Sequence, residues 1–478
     1  MPINSTHPEY DEYAEQWEMC SDFYEGAAAV KDKEHKYLPR LEKQSDLSYS
    51  AYLTRAAFFG AVGRTVDGMA GSVMREAPSL SVPSALEYVK TDVTGTGQSL
   101  DEVILGLLKG VLLTNRRGIL VDIPLNGSNP VMAVYEGECI VNWAEDRSFV
   151  VLKEDVFEAD PKDRYERLEI TQYRELTLES TPEGGKVYVV NIWREKKGKT
   201  PALAKEWQIV STFIPTNRGA PLDYIPFTFL SDMGTDTCIY KPPLYDLVQE
   251  NHSHYLKSAD YCHGLHFTGL PTFFVTGVTP DPKIEIRVGA ETALLLPNPS
   301  ARAGYAEFSG QGLDGLKEAL KEHEGKMAAL GARLIEQQHK GGQNATAESA
   351  RIKQTGEVAV LSSIINSVEA GIRAALKTMA EWLRADANAI ILEINRDLIE
   401  ARIDANTLIA LLQAVQAGRL SHRTYYDNLK DAGYIDPGSD FEGEVELINN
   451  QDNIVPLDPT KKPMQVGNNP NDIPGGNK

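Results

Sequence analysis

The chain has 478 residues, 42% of them hydrophobic and 24% charged, and a formal net charge of −20 at pH 7. That length holds two or three domains of ordinary globular composition, and so acidic a chain lacks the basic footprint that grips nucleic-acid phosphates over a broad surface. No apolar run approaches the roughly 20 residues that cross a bilayer. The start, MPINSTHPEYDEY, has neither the basic residues nor the apolar core of a secretory signal. Cys20, Cys139, Cys238 and Cys262 lie apart with no CxxC pair, the usage of a reducing cytoplasm.

Residues from about Glu9 to Gly71 read as helical, with Leu53, Ala57, Val62, Val66, Met69 and Val73 at helix-like spacing. Gly60, Gly63, Gly68 and Gly71 in that pattern predict close packing or a break. Leu100–Leu113 is a second helix, and Ser99 with Glu102 three residues on forms a capping-box pattern. The texture then changes to short alternating runs rich in Val, Ile, Tyr and Trp. RGILVDIP, VMAVYEGECIVNWAED, SFVVLKEDVF, ERLEITQYRELTLE, KVYVVNIWREK and EWQIVSTFIP predict a meander of about six strands ending near Phe227–Leu230.

Pro242–Cys262 turns helical again, and Gly264 is expected to break that helix before His266. LPTFFVTGV, KIEIRVGAETALLL and AGYAEF read as three strands. The stretch of about fifty residues that holds them is too short to bury a large core alone, so its apolar positions are expected to find partners on a neighbouring copy. Phe273, Phe274, Val275, Ile284, Ile286 and Val288 are the candidates. Leu313, Leu316, Leu320, His323, Met327, Leu330 and Leu334 then repeat at alternating steps of three and four, the seam of a helix packed along another helix. At about 1.5 Å per residue, a helix over Leu313–Gln338 would be a rod of roughly 40 Å.

Next comes a polar loop, and the sequence from Glu336 to Ile352 is EQQHKGGQNATAESARI. A long helix follows from about Ala347 to Arg384. AIILEINRDL predicts a strand, DANTLIALLQAVQAG a helix capped by Asp404, and SHRTYYDNLKDAG another that starts at Ser421. After Asn449 the composition is that of a mobile tail.

Signals for catalysis do not survive inspection. REKKGKT lacks the glycine that a phosphate-binding loop requires five residues before its GK pair, where this chain has Trp193. His252, His254, Cys262, His263 and His266 crowd one segment, yet no zinc spacing is present and His252 and His254 fall on different faces of a helix. A metalloenzyme built on the His252–His266 region is the rival reading, and a scaffold-type oligomer without a DNA role is another. No nucleophile motif appears, and the chain is expected to be non-enzymatic, with no catalytic residue, no metal and no cofactor.

The order of parts resembles the portal proteins of tailed double-stranded DNA bacteriophages. The stretch VKDKEHKYLPRLEKQSDLSYSAYLTRAAFFGAVGRTVDGMAGSVMREAP resembles the N-terminal words of one branch of that family. CIVNWAED resembles the branch's strand ending in N-W, and NATAESARIKQTGEVAVLSSIINSVEAGIRAALKTMAEW its long helix. The resemblance covers about Lys31 to Gly433. It implies an α+β portal fold that assembles as a ring, with residues 1–234 as wing, 235–263 as first stem helix and 264–311 as clip. By the same resemblance 312–338 would be the second stem helix, 339–346 a tunnel loop, 347–400 a long helix returning to the wing, 401–449 a short crown and 450–478 a tail.

Such a ring, of about twelve copies by the family's habit, stands at the unique capsid vertex of the virion and is assembled in the host bacterial cytoplasm. It channels double-stranded DNA in packaging and ejection, and its partners are the terminase large subunit, the head-tail adaptor, the major capsid protein and a scaffolding protein. No membrane is involved. Lys340, Gly341, Gly342, Gln343 and Asn344 would face the DNA, the glycines free to change shape and the polar groups touching phosphates without sequence preference.

Overall fold

The computed structural model describes residues 2–124, 129–160, 163–182, 184–196, 206–217, 219–269, 272–277, 299–306, 311–331, 347–396, 405–431, 434–435 and 438–450. The fold is α+β and divides into two compact units, Met1–Leu398 and Ile399–Lys478.

The first unit opens with α1 (Pro8–Glu25), α2 (Ala27–Asp32), α3 (Asp46–Arg55) and α4 (Ala61–Val73). The predicted helical stretch is thus broken before the glycine-rich segment: Ala56 leaves helical geometry at ψ 122°, and α4 restarts after Gly60. Close packing holds inside α4 as well, since a Cβ on Gly63 would lie 3.2 Å from the Tyr24 carbonyl oxygen. A short strand β1 (Ser79–Ser81) leads to α5 (Leu100–Thr114).

The capping box of α5 is formed as the sequence predicts. Ser99 Oγ accepts from Glu102 N at 3.3 Å, and Glu102 Oε2 accepts from Ser99 N at 2.8 Å. These bonds satisfy donors that a helix start leaves open, so Ser99→Ala is expected to cost about 1 kcal/mol, read as a lowered thermal midpoint. Asn115 ends α5 in the left-handed region at φ 53°.

The predicted meander is present: β2 (Arg117–Asp122), β3 (Val131–Glu136), β4 (Ile140–Trp143), β5 (Phe149–Ala159), β6 (Arg167–Ser180), β7 (Lys186–Glu195) and β8 (Trp207–Phe213). Two short strands, β9 (Thr216–Asn217) and β10 (Ala220–Pro221), pair with each other before β11 (Phe227–Leu230). All pairings are antiparallel. One sheet has the order β11-β2-β3, and the other β4-β5-β6-β7-β8. β2 is buried along nearly its whole length, which explains the unbroken apolar run in RGILVD. The inner halves of β5 and β6 bury Val150, Leu152 and Leu176, while their far ends are more exposed, and Glu158 near the end of β5 pairs with Arg194 of β7 at 2.8 Å.

The chain continues through α6 (Tyr245–Thr268), the strand pair β12 (Thr272–Thr276) and β13 (Arg302–Ala306), α7 (Gln311–Ala329), α8 (Ala347–Leu383) and β14 (Ile391–Glu393), which pairs back with β1. The main core gathers α1 to α6 around the buried face of α8, where Leu361, Ile364, Ile365, Val368, Ile372 and Leu376 are almost fully covered. A second core fills the space between the two sheets. Glu369 ties α8 to β14: its buried carboxylate meets Arg373 and Arg396 and accepts from Ile394 N at 3.2 Å.

Two helix boundaries differ from the sequence reading. Gly264 does not break α6, which runs on through His266 to Thr268. The position is small because α7 comes close: a Cβ there would meet Leu313 Cδ2 at 2.6 Å. Conversely, α7 stops at Ala329, short of Gln338. Gly331 sits beyond it at φ +127°, a conformation favouring glycine, against Thr65 and Met69 of α4.

The second unit contains α9 (Ala405–Gln416), α10 (His422–Asp431) and α11 (Phe441–Asn450). Gly418 follows α9 at φ 67°, and Ser421 Oγ accepts from Thr424 N at 3.0 Å at the start of α10. Asp404 and Gly433 lie outside the described residues. The sequence reading has no helix where α11 stands. Among the described residues no helix is long and apolar enough to cross a membrane.

Candidate functional site: the α6–α7 helix pair and its strand pair

α7 returns antiparallel along α6. Leu313 approaches Gly264 at one end, and at the other His323 Nδ1 lies 2.7 Å from Glu250 Oε1, with Lys326 Nζ 3.9 Å from the same oxygen. His254 Nε2 stands 3.7 Å from Glu324 between these points. The single polar member of the α7 seam is therefore used to fasten it to α6.

The seam is unevenly covered. Met327 is fully buried; Leu313, Leu316 and Leu320 are half-buried; Leu330 is 41% exposed. Leu334 lies outside the described residues. Two helices alone leave part of an apolar stripe open, because a helix needs cover over about a third of its circumference to hide such a stripe.

The strand pair at the far end is more exposed still. Phe273 is half-buried and meets Tyr305 edge-on at 5.3 Å between ring centres. Phe274 lies over Gly304 and is 42% exposed, Tyr305 is 54% exposed, and Phe267 at the end of α6 is 63% exposed. Val275 is half-buried. Ile284, Ile286 and Val288 lie outside the described residues, as do the loop residues Lys340, Gly341, Gly342, Gln343 and Asn344.

The histidine-rich segment does not converge. His252 Nε2 contacts the Tyr37 carbonyl at 2.9 Å, His254 packs on Phe59 and faces Glu324, His263 stands edge-on to Tyr52, and His266 Nε2 meets Arg55 Nη2 at 3.0 Å. Cys262 is a free, half-buried thiol. Among the described residues no three His, Cys, Asp or Glu side chains are placed to hold a metal ion. These rings instead line the boundary of α6 with the N-terminal helices. Burial pushes both His254 and His263 below the ordinary 6.5.

A family model described as a domain of unknown function, DUF4055, matches residues 243–383, from the start of α6 to the end of α8. No curated protein matches the chain. Among solved structures, the chain is similar to one in the neck of the native GTA particle computed with C12 symmetry, at 15% identity, covering 78% of this chain and 91% of that one, with a TM-score of 0.39. It is similar to one in the neck of the empty GTA particle computed with C6 symmetry, with the same identity and coverages and a TM-score of 0.41. A chain in the virion of the native gene transfer agent particle gives 13% identity, 87% and 98% coverage and a TM-score of 0.38.

One buried charge escaped the sequence reading. Arg116, between α5 and β2, is 1% exposed, with its guanidinium 4.5 Å from the Trp143 ring centre and 4.2 Å from that of Phe229. The only signal was a pair of arginines set between two apolar runs, VLLT and GILV.

Proposed function

We propose that the chain is a portal protein: a non-enzymatic subunit of a ring that forms the DNA channel at one vertex of a virion. The observation that carries this reading is the open apolar side of the α6–α7 pair, continued by Phe267, Phe274 and Tyr305 on and beside the strand pair. A cyclic ring covers such a surface by presenting it to a different patch of the next copy, and it leaves no copy unsatisfied. The portal-like sequence words and the order of wing, helix, strand pair, return helix and long helix support the same reading.

In this reading the wing is residues 1–234, the stem is built on α6 and α7, and the strand pair belongs to the clip that docks the terminase and later the adaptor. Lys340 to Asn344 face the duplex. The net charge of −20 makes the channel one that guides DNA rather than clamps it.

The test is negative-stain electron microscopy with native mass measurement on one sample, for the wild type and for Phe267→Asp with Phe274→Asp. Wild-type rings with a hole about as wide as a duplex, and folded monomers for the double variant, are the expected result. A wild type that stays monomeric at micromolar concentration, or a double variant that still closes rings, overturns the assignment of this surface.

A further inference from the structure

The histidines at the C-terminal end of α6 have no place in the ring reading, yet they are grouped. Arg55 closes α3, and its Nη2 lies 3.0 Å from His266 Nε2. A guanidinium only donates, so His266 must offer an unprotonated nitrogen there. His263 lies one turn earlier on α6. Its ring stands edge-on to Tyr52 of α3 at 5.1 Å and to Phe267 at 4.7 Å, and its buried Nδ1 has no partner among the described residues. Tyr52 also reaches across from α3, donating to Asp260 Oδ1 at 2.6 Å.

The charges around this cluster are lopsided. From α3 comes Arg55, bonded to His266; from the preceding segment comes Lys31, bonded to the Thr54 carbonyl at 3.2 Å. α6 itself supplies His263, His266 and Asp260, and Asp260 is already engaged by Tyr52. From α7 the apolar Leu313 packs against Gly264 at this level. Protonation of His263 would therefore add positive charge beside Arg55, against one carboxylate that Tyr52 already engages.

We infer that the α3–α6 contact at Arg55, His263 and His266 is a proton-sensitive latch, closed while the His263 imidazole is neutral and released when it is charged. The added charge repels the Arg55 guanidinium, and parting α3 from α6 there breaks the Arg55–His266 hydrogen bond. It frees the last turns of α6, from which the strand pair springs, so mild acid would loosen the root of that pair while the main core stays folded.

The sign follows from linkage. Burial, then Arg55 and His266, push His263 below its ordinary 6.5, so the unfolded or released chain binds the extra proton more readily. The latch is fully closed above 6.5 and is lost as pH falls through the depressed value.

The experiment is hydrogen exchange of the full chain at about pH 7.5 and about pH 5.5, with rates corrected for intrinsic pH dependence. Three proteins are compared: the wild type, His263→Gln and Arg55→Gln. Glutamine at 263 keeps a polar side chain there but cannot titrate. Amides of α3 and of residues 258–268 in the wild type should lose protection by about tenfold at the lower pH, while those of α5 hold. Both variants should match the wild type at the higher pH and lose most of the acid response. Unchanged wild-type protection in α3 and 258–268, or a full acid response retained in His263→Gln, overturns the latch.

Discussion

Gly118→Val should be the most damaging single substitution in the wing, costing about 3 kcal/mol and removing most soluble protein at 37 °C. Gly118 is the second residue of β2, paired with Phe229 on one side and Tyr135 on the other. A Cβ there would lie 2.2 Å from Phe227 Cζ, 2.9 Å from its Cε2 and 3.1 Å from Ile140 Cδ1. Phe227 cannot swing aside, because it is 5% exposed and packed edge-on to Phe229 at 4.9 Å. Relief must come from shortening the ring, so Gly118→Ala combined with Phe227→Leu should recover part of what Gly118→Ala alone loses. Gly71→Ala is the control. It is helical and has nothing within 4 Å of a new Cβ, so it should stabilise by about 1 kcal/mol. Thermal midpoints of the four variants and the wild type decide the matter; a Gly118→Val chain as stable as the wild type would mean that β2 can shift away from β11.

The contrast between Gly118 and Gly264 also shows what the sequence can and cannot reveal. Local chemistry was legible. The Ser99 and Glu102 pair announced the start of α5, strand alternation located β2 to β8, and the steps of three and four on α7 marked a face that includes Leu313, His323 and Met327. What a residue meets from far away was not legible. Gly264 reads as a breaker by propensity alone, yet the helix passes through it because Leu313 needs the room. The histidines of α6 suggested a metal only because their separate partners, Tyr37, Glu324, Tyr52 and Arg55, come from distant parts of the chain. α11 was hidden by its acidic, glycine-containing sequence FEGEVELINN, which offers few apolar positions to set a period.

Arg116 was hidden for the same reason, and it yields the second large effect. Arg116→Ala should destabilise the wing by about 3 kcal/mol, whereas Arg116→Met should fall within about 1 kcal/mol of the wild type. The guanidinium is sandwiched between Trp143 and Phe229 and donates from Nη1 to the carbonyls of Thr237 and Cys238, each at 3.1 Å. Its Nε and Nη2 have no partner among the described residues. Burial pushes it down to about 9, while Glu9 and Asp236 pull it the other way. A buried cation with two unmet donors adds little net stability as a charge; its value lies in filling the slot between two rings and in two hydrogen bonds. Alanine empties that slot and leaves both carbonyls bare. Methionine refills it with a flexible apolar chain and removes the desolvation cost, which offsets the two lost bonds. Chemical denaturation of the two variants separates the terms. If methionine proves as harmful as alanine, the bonds to residues 237 and 238 carry the stability, and the segment leading into α6 is held by that charge rather than by packing.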